Sequence, residues 1–145
     1  MSNSEKAAKI YNEGFNCAQA VLSVYAKRYG VNEVQALTLT SGFGGGIARM
    51  QETCGAVTGA VMVIGLAVGE GKSDVPENNE KVYAVTQEFV KRFKEKNNSI
   101  KCRDLLNCDI NTEDGIYFYD VNELHKKVCL KCIGDAVEIL DELIM

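Results

Sequence analysis

Between Ala56 and Val68 the chain is almost wholly apolar, broken only by Thr58, Gly59 and Gly65. The run falls short of the roughly 20 apolar residues that a membrane-spanning helix needs, so it has to be buried inside a folded protein. It is also built from small residues, chiefly glycine, alanine and valine, which allow other backbones to come close. The run therefore predicts a central core helix from Cys54 to about Val68, with Thr53 as its cap.

Helical periodicity dominates on either side. Ala18, Val21, Leu22, Tyr25 and Tyr29 recur at three- and four-residue spacing along a helix ending near Gly30. Asn16 with Gln19 makes a capping box at its start, and Gly14-Phe15 suits a break from a helical N-terminal region. Asn32 with Gln35 caps a short helix carrying Val34 and Leu37. Gly69 to Pro76 breaks the central helix, and a helix from about Glu77 to Lys96 follows, with Val82, Val85, Phe89 and Phe93 as its core stripe. Ser99 is read as the cap of a short helix from Cys102 to Leu106, and Asp109 to Val121 as irregular. A last helix starts near Asn122 and runs to Ile144, on the stripe Cys129, Ile133, Ala136, Val137, Leu140 and Ile144. Nothing reads as a β ladder, a linker or a low-complexity segment. The expectation is one all-α domain over residues 1–145, a bundle of about five helices around a small-residue central one.

Charge removes some classes of partner. A net charge of −4 argues against nucleic acid and acidic membrane surfaces, and Lys91 to Lys96 reads as a solvated helix face. The first ten residues hold no apolar secretory segment, so a cytoplasmic location is expected, with no membrane insertion.

Six cysteines are many for a chain large enough to build its own core. In a reducing compartment, clustered thiols point to redox or metal chemistry rather than to structural bridges. Their positions sharpen this. Cys17 follows the Asn16 cap, Cys54 follows Thr53, Cys102 lies three after Ser99, and Cys129 follows Lys126 and Lys127 near the start of the last helix. Helix N-termini carry partial positive charge and free N–H groups, and both favour thiolate, the form that attacks disulfides and binds metals. Cys54 is the favoured reactive thiolate, since Gly55 leaves its side open; Cys17, Cys102 or Cys129 would resolve it. Cys129 and Cys132 form a Cys-x-x-Cys pair on one helix face, half of a zinc site with no second half in the sequence.

Other signals are weaker. Gly42 to Gly46 is a glycine loop without the strand before it or the Lys-Ser/Thr after it that a phosphate-binding loop carries; it reads chiefly as a tight turn that lets helices close up, the lesser alternative being that its amides hold an anion or sulfur near Cys54. His125 stands alone, so no histidine-based metal site can form.

Five segments in order, Gly14-Phe-Asn-Cys-Ala-Gln-Ala-Val21, Ser41-Gly-Phe-Gly-Gly-Gly46, Cys54-Gly-Ala-Val-Thr-Gly59, Cys102-Arg-Asp-Leu-Leu106 and Lys127-Val-Cys129, resemble the C-GCAxxG-C-C family of redox proteins over nearly the whole chain. The resemblance implies a redox role carried by four shared cysteines, matched here by Cys17, Cys54, Cys102 and Cys129. Cys108 and Cys132 then count as extra cysteines, standing where the family is expected to hold aromatic residues. A similar domain occurs in split-Soret cytochromes, which brings an iron–sulfur cluster into view; the sequence has no Cys-x-x-Cys-His for covalent haem. The expected function is thus a dithiol/disulfide or electron-transfer site of those four cysteines, which needs no cofactor. The alternative is that they ligate an iron–sulfur cluster or zinc. The expected partner is a redox protein or a small thiol/disulfide substrate, and homo-oligomers are compatible with either reading.

Overall fold

The computed structural model of the chain describes residues 1–73 and 75–145, apart from the side chains of residues 76 and 78. Asp74, inside the break read between Gly69 and Pro76, lies outside the described residues. The described residues form eight α-helices and no strand: α1 (Asn3–Asn12), α2 (Cys17–Ala26), α3 (Glu33–Leu39), α4 (Gly55–Val68), α5 (Glu80–Asn97), α6 (Cys102–Leu106), α7 (Glu113–Val121) and α8 (Leu130–Ile144). Among them no helix is long and apolar enough to cross a membrane.

The all-α reading holds, with more helices than about five. The added elements have local causes. Thr112 caps α7 by accepting from the Gly115 N–H at 3.0 Å. A Cβ on Gly115 would fall onto the Asp109 carbonyl oxygen, so this turn needs glycine. Sequence periodicity misses α7 because its apolar residues Ile116, Tyr117, Phe118 and Val121 are exposed. The last helix starts later than Asn122. Glu123 sits at φ +51°, the chain winds as a π-helix over His125–Cys129, and α-helix proper begins at Leu130.

α4 is the central helix, and its most extensive partner is α2. Glycine makes that crossing close. A Cβ on Gly59 would lie 2.9 Å from the Ala18 carbonyl oxygen, and one on Gly55 would lie 2.9 Å from the Ala18 nitrogen. Around this contact, α5 and α8 supply Phe89, Phe93, Ile133, Val137 and Leu140, all essentially sealed from solvent. Each such large apolar side chain contributes about 1.5–3 kcal/mol on burial. Tyr25 fixes the register of α2 on α8: its hydroxyl donates to Asp141 Oδ1 at 2.7 Å, and Asn3 of α1 donates to the same oxygen at 2.9 Å. The packing leaves the N-terminal ends of α2, α4 and α6 and the start of α8 around one opening.

Candidate functional site

Cys17 is the first residue of α2. Asn16 Oδ1 accepts from the Gln19 N–H at 2.8 Å while Gln19 Oε1 accepts from the Asn16 N–H at 2.9 Å, the capping box expected from the sequence. Cys54 is itself the N-cap of α4; Thr53 instead pairs with Lys101 in an isolated β-bridge, so its assignment as the cap is corrected. Cys102 opens α6, with its N–H donating to the Glu52 carbonyl at 2.7 Å. Ser99 does not cap that helix: its hydroxyl donates to Asp104 and accepts from the Lys101 N–H. Cys129 ends the π-turn, and Cys132, one helical turn on, shares its face.

These five cysteines line one cavity of about 1110 Å³, together with Tyr11, Tyr119 and the glycine loop at Gly44, Gly45 and Gly46. Close backbone approach again needs glycine. A Cβ on Gly46 would lie 2.7 Å from Cys102 Cβ, and one on Gly55 would lie 3.1 Å from Cys17 Cβ. Cys108 is half-buried, does not line the cavity, and is pushed up chiefly by burial. The four cysteines singled out from sequence therefore share one cavity, joined by Cys132, which sequence reasoning had set aside as an extra. The signal for Cys132 was its spacing from Cys129.

The sulfurs interact two by two. Cys17 donates its S–H to Cys129, and this, ahead of burial, holds the Cys17 thiol well above its ordinary range. Cys129 is held down at about 6, first by that bond, then by the hydroxyls of Tyr119 and Tyr11 and the field of His125. Tyr119 Oη lies 3.7 Å from Cys129 Sγ. Both tyrosine hydroxyls are pushed up, in each case first by burial.

Cys132 makes the second pair with Cys54. Its S–H holds Cys54 below the usual thiol range, and the backbone N–H groups of Ala56 and Val57 at the start of α4 help against the cost of burial. Cys132 itself is pushed up, first by this bond and then by burial. The Cys132 S–H also donates to Asn97 Oδ1 at 3.9 Å, so Asn97 and Cys54 compete for its one proton.

Cys102 shows the limit of the helix-start argument. α6 has five residues and a weak N-terminal field, so burial dominates and pushes the thiol up to about 12, even with the Gln51 amide beside it. Gln51 is nearly sealed and ties this wall to the next segment: its Nε2 donates to the Cys108 carbonyl at 2.8 Å and its Oε1 accepts from the Ile110 N–H at 2.9 Å. Tyr11, Tyr119 and Gln51 carried no sequence signal.

The donor set does not fit a metal centre. Among the described residues no three of His, Cys, Asp or Glu converge as ligands for one ion.

No curated protein and no solved structure matches the chain. A family model does, over residues 15–143, described as "Putative redox-active protein (C_GCAxxG_C_C)". The match takes in all five cavity cysteines, and the chain belongs to the C-GCAxxG-C-C family of putative redox-active proteins.

Proposed function

We propose that the cavity is a dithiol–disulfide exchange site with two cysteine pairs, an outer Cys17–Cys129 and an inner Cys54–Cys132. The observation that carries this reading is that Cys17, Cys54 and the neighbours Cys129 and Cys132, from three distant parts of the sequence, line one cavity; the lowering of Cys129 by Cys17 and of Cys54 by Cys132 supports the pairing. A thiolate beside a thiol is the arrangement that attacks a disulfide and then resolves the product.

Cys129 is the first attacker. The sequence favours Cys54, and both line the cavity, but Cys54 is buried whereas Cys129 is half-buried. Cys129 thiolate attacks one sulfur of a disulfide R–S–S–R, the S–S bond breaks, and R–S⁻ leaves. Cys17 then attacks Cys129 Sγ, its proton passing to a departing thiolate as the second R–S⁻ is expelled. The net change oxidises two protein thiols to one disulfide and reduces one substrate disulfide to two thiols. Gly55 sets Cys17 against the start of α4, so Cys54 can attack Cys17 Sγ, return the outer pair to the dithiol state, and be resolved by Cys132. Cys102, a neutral thiol in the field of both thiolates, is a further acceptor for disulfide shuffling. Thiols kept for this use suit a reducing compartment such as the cytoplasm, with a small disulfide or a redox protein as partner.

The test is stepwise oxidation with 2-hydroxyethyl disulfide, with the cross-links mapped by peptide mass spectrometry. The Cys17–Cys129 bridge is expected first and Cys54–Cys132 second, with the helical circular dichroism retained. Adducts that never resolve into these bridges would overturn the reading.

A further inference from the structure

The cavity that holds the cysteines also carries exposed charge of both signs on its lining. Of the four arginines, three have side-chain partners: Arg92 binds Glu88 and Glu142, Arg103 lies 3.9 Å from Asp109, and Arg28 meets Tyr25 and the Met145 sulfur. Arg49 is exposed, lines the cavity, and its guanidinium has no hydrogen bond or ion pair among the described residues. Asp120 of α7 lines the same cavity, is exposed, and its carboxylate likewise has no partner.

Arg49 is also held where it is at a cost. Ile47, Ala48 and Arg49 follow Gly45 and Gly46 with φ of 65°, 48° and 61°, a left-handed turn in which each non-glycine residue costs roughly 1–2 kcal/mol. The turn is pinned by the Arg49 N–H to the Gly44 carbonyl at 2.9 Å and by Asn111 Nδ2 to the Arg49 carbonyl at 2.8 Å. In a chain of net charge −4, an unpaired guanidinium carried on a pinned backbone turn at the edge of a thiol cavity selects for an anionic group. The other polar side chains of this wall are already engaged: Asn16 and Gln19 in the cap and on the carbonyls of Thr40, Ser41 and Leu37.

We infer that the cavity takes a zwitterionic amino-acid disulfide of the cystine type, with a carboxylate on Arg49, an ammonium group on Asp120 and the disulfide presented to Cys129. The inference rests on the exchange reading above and adds the substrate class. A cavity of about 1110 Å³ has room for both halves of such a molecule. The chemistry is the exchange already balanced: one cystine gives two cysteines, and the outer pair becomes the Cys17–Cys129 disulfide.

The experiment follows single-turnover oxidation of the reduced full chain by four disulfides that differ in charge: cystine, dithiodipropionate (anionic), cystamine (cationic) and 2-hydroxyethyl disulfide (neutral). Each rate is divided by that same disulfide's rate with free cysteine, which removes intrinsic reactivity. Cystine should exceed the neutral disulfide by about tenfold, the worth of one charge-assisted hydrogen bond. In Arg49→Gln the advantage of cystine and dithiodipropionate over the neutral disulfide should collapse, and Arg49→Lys should restore part of it. Asp120→Asn should remove the advantage of cystine over dithiodipropionate. Equal corrected rates for all four with the wild-type chain, or ratios untouched by Arg49→Gln, would overturn the inference while leaving the exchange reading standing. Failure of all four to oxidise the outer pair would overturn both. Binding of S-methylcysteine, a thioether that cannot exchange, followed by ligand-observed NMR, gives a readout independent of redox chemistry: loss of its signal in Arg49→Gln supports the site, and no signal with the wild-type chain overturns it.

Discussion

The outer and inner pairs solve one electrostatic problem with different materials. In the inner pair, Cys54 is lowered first by Cys132, and then, against burial, by the fixed backbone N–H groups of Ala56 and Val57, deep against the core. In the outer pair, Cys129 depends on side chains throughout: Cys17, Tyr119, Tyr11 and the field of His125. Backbone dipoles come with the fold and cannot be substituted away, whereas the side-chain set is tunable and open to solvent on one side. On the proposed exchange reading, the inner pair holds a disulfide and the outer pair makes first contact.

The widest separation should appear in thiol reactivity. At pH 7 a group at about 6 is mostly thiolate, while one at about 12 is thiolate in only roughly one part in 10⁵. Alkylation of Cys129 by iodoacetamide, read site by site by mass spectrometry, should therefore outrun that of Cys102 by more than about a hundredfold. The sign of the pH dependence follows from a lowered value: the Cys129 rate climbs as pH rises through about 6 and is flat by pH 8, where an ordinary thiol is still climbing. Rates within a few-fold of one another across the cavity would break the comparison outright.

Gly55 keeps the two pairs side by side. Its missing Cβ leaves room for the Ala18 nitrogen and Cys17 Cβ, which a methyl group would meet at 2.9 and 3.1 Å. Gly55→Ala should destabilise the chain by about 1–3 kcal/mol through overpacking, seen as a lower thermal midpoint, and should slow passage of a disulfide from the outer to the inner pair. Gly134→Ala is the control. That site in α8 has open space at its Cβ position, so alanine should instead stabilise by about 0.5–1 kcal/mol. A common sign for the two substitutions would show that close approach is not what Gly55 provides.

Tyr119→Phe tests the outer pair's dependence on side chains. Removing a hydroxyl 3.7 Å from Cys129 Sγ deletes a hydrogen bond to a charged acceptor, worth about 1.5 kcal/mol. The alkylation midpoint of Cys129 should move up by about one pH unit while that of Cys54 stays where it is. Equal movement of both midpoints would mean that the pairs titrate as one unit.

The sequence was most legible where a local rule had no competitor. The Asn16–Gln19 capping box placed Cys17 at a helix start, and the small-residue run placed α4 at the centre, because both depend on neighbours in the chain. Legibility failed where tertiary burial overrode local position. Cys102 has the expected first-turn address, yet desolvation in a five-residue helix reverses the shift that the address implies. α7 was read as irregular because its apolar residues face outward, and with it went Tyr119. Cys132 differs again: its spacing from Cys129 marks a shared helix face, but it lies outside the four-cysteine pattern of the family, and only the packing of α8 on α4 brings it to the cavity.

The smallest expected effect concerns the two cysteines outside that four-cysteine pattern, which the structure separates. Cys108 reaches the site through its backbone carbonyl, which accepts from Gln51 Nε2 at 2.8 Å, a bond that any side chain leaves in place, and through its side chain, which packs at the edge of the small cluster of Cys102, Leu106 and Leu124. Its own sulfur is half-buried and outside the cavity. Cys108→Ala should change stability by less than about 1 kcal/mol, the loss of one half-buried sulfur, and leave the alkylation midpoints of Cys54 and Cys129 unmoved. The same substitution at Cys132 removes the S–H that leads the lowering of Cys54, so the Cys54 midpoint should rise, with the backbone N–H groups of Ala56 and Val57 limiting how far. The Cys129 midpoint should hardly respond, since its leading donor is Cys17. A silent Cys132→Ala would return Cys132 to the standing of Cys108 and reduce the inner pair to a single buried thiolate held by the start of α4.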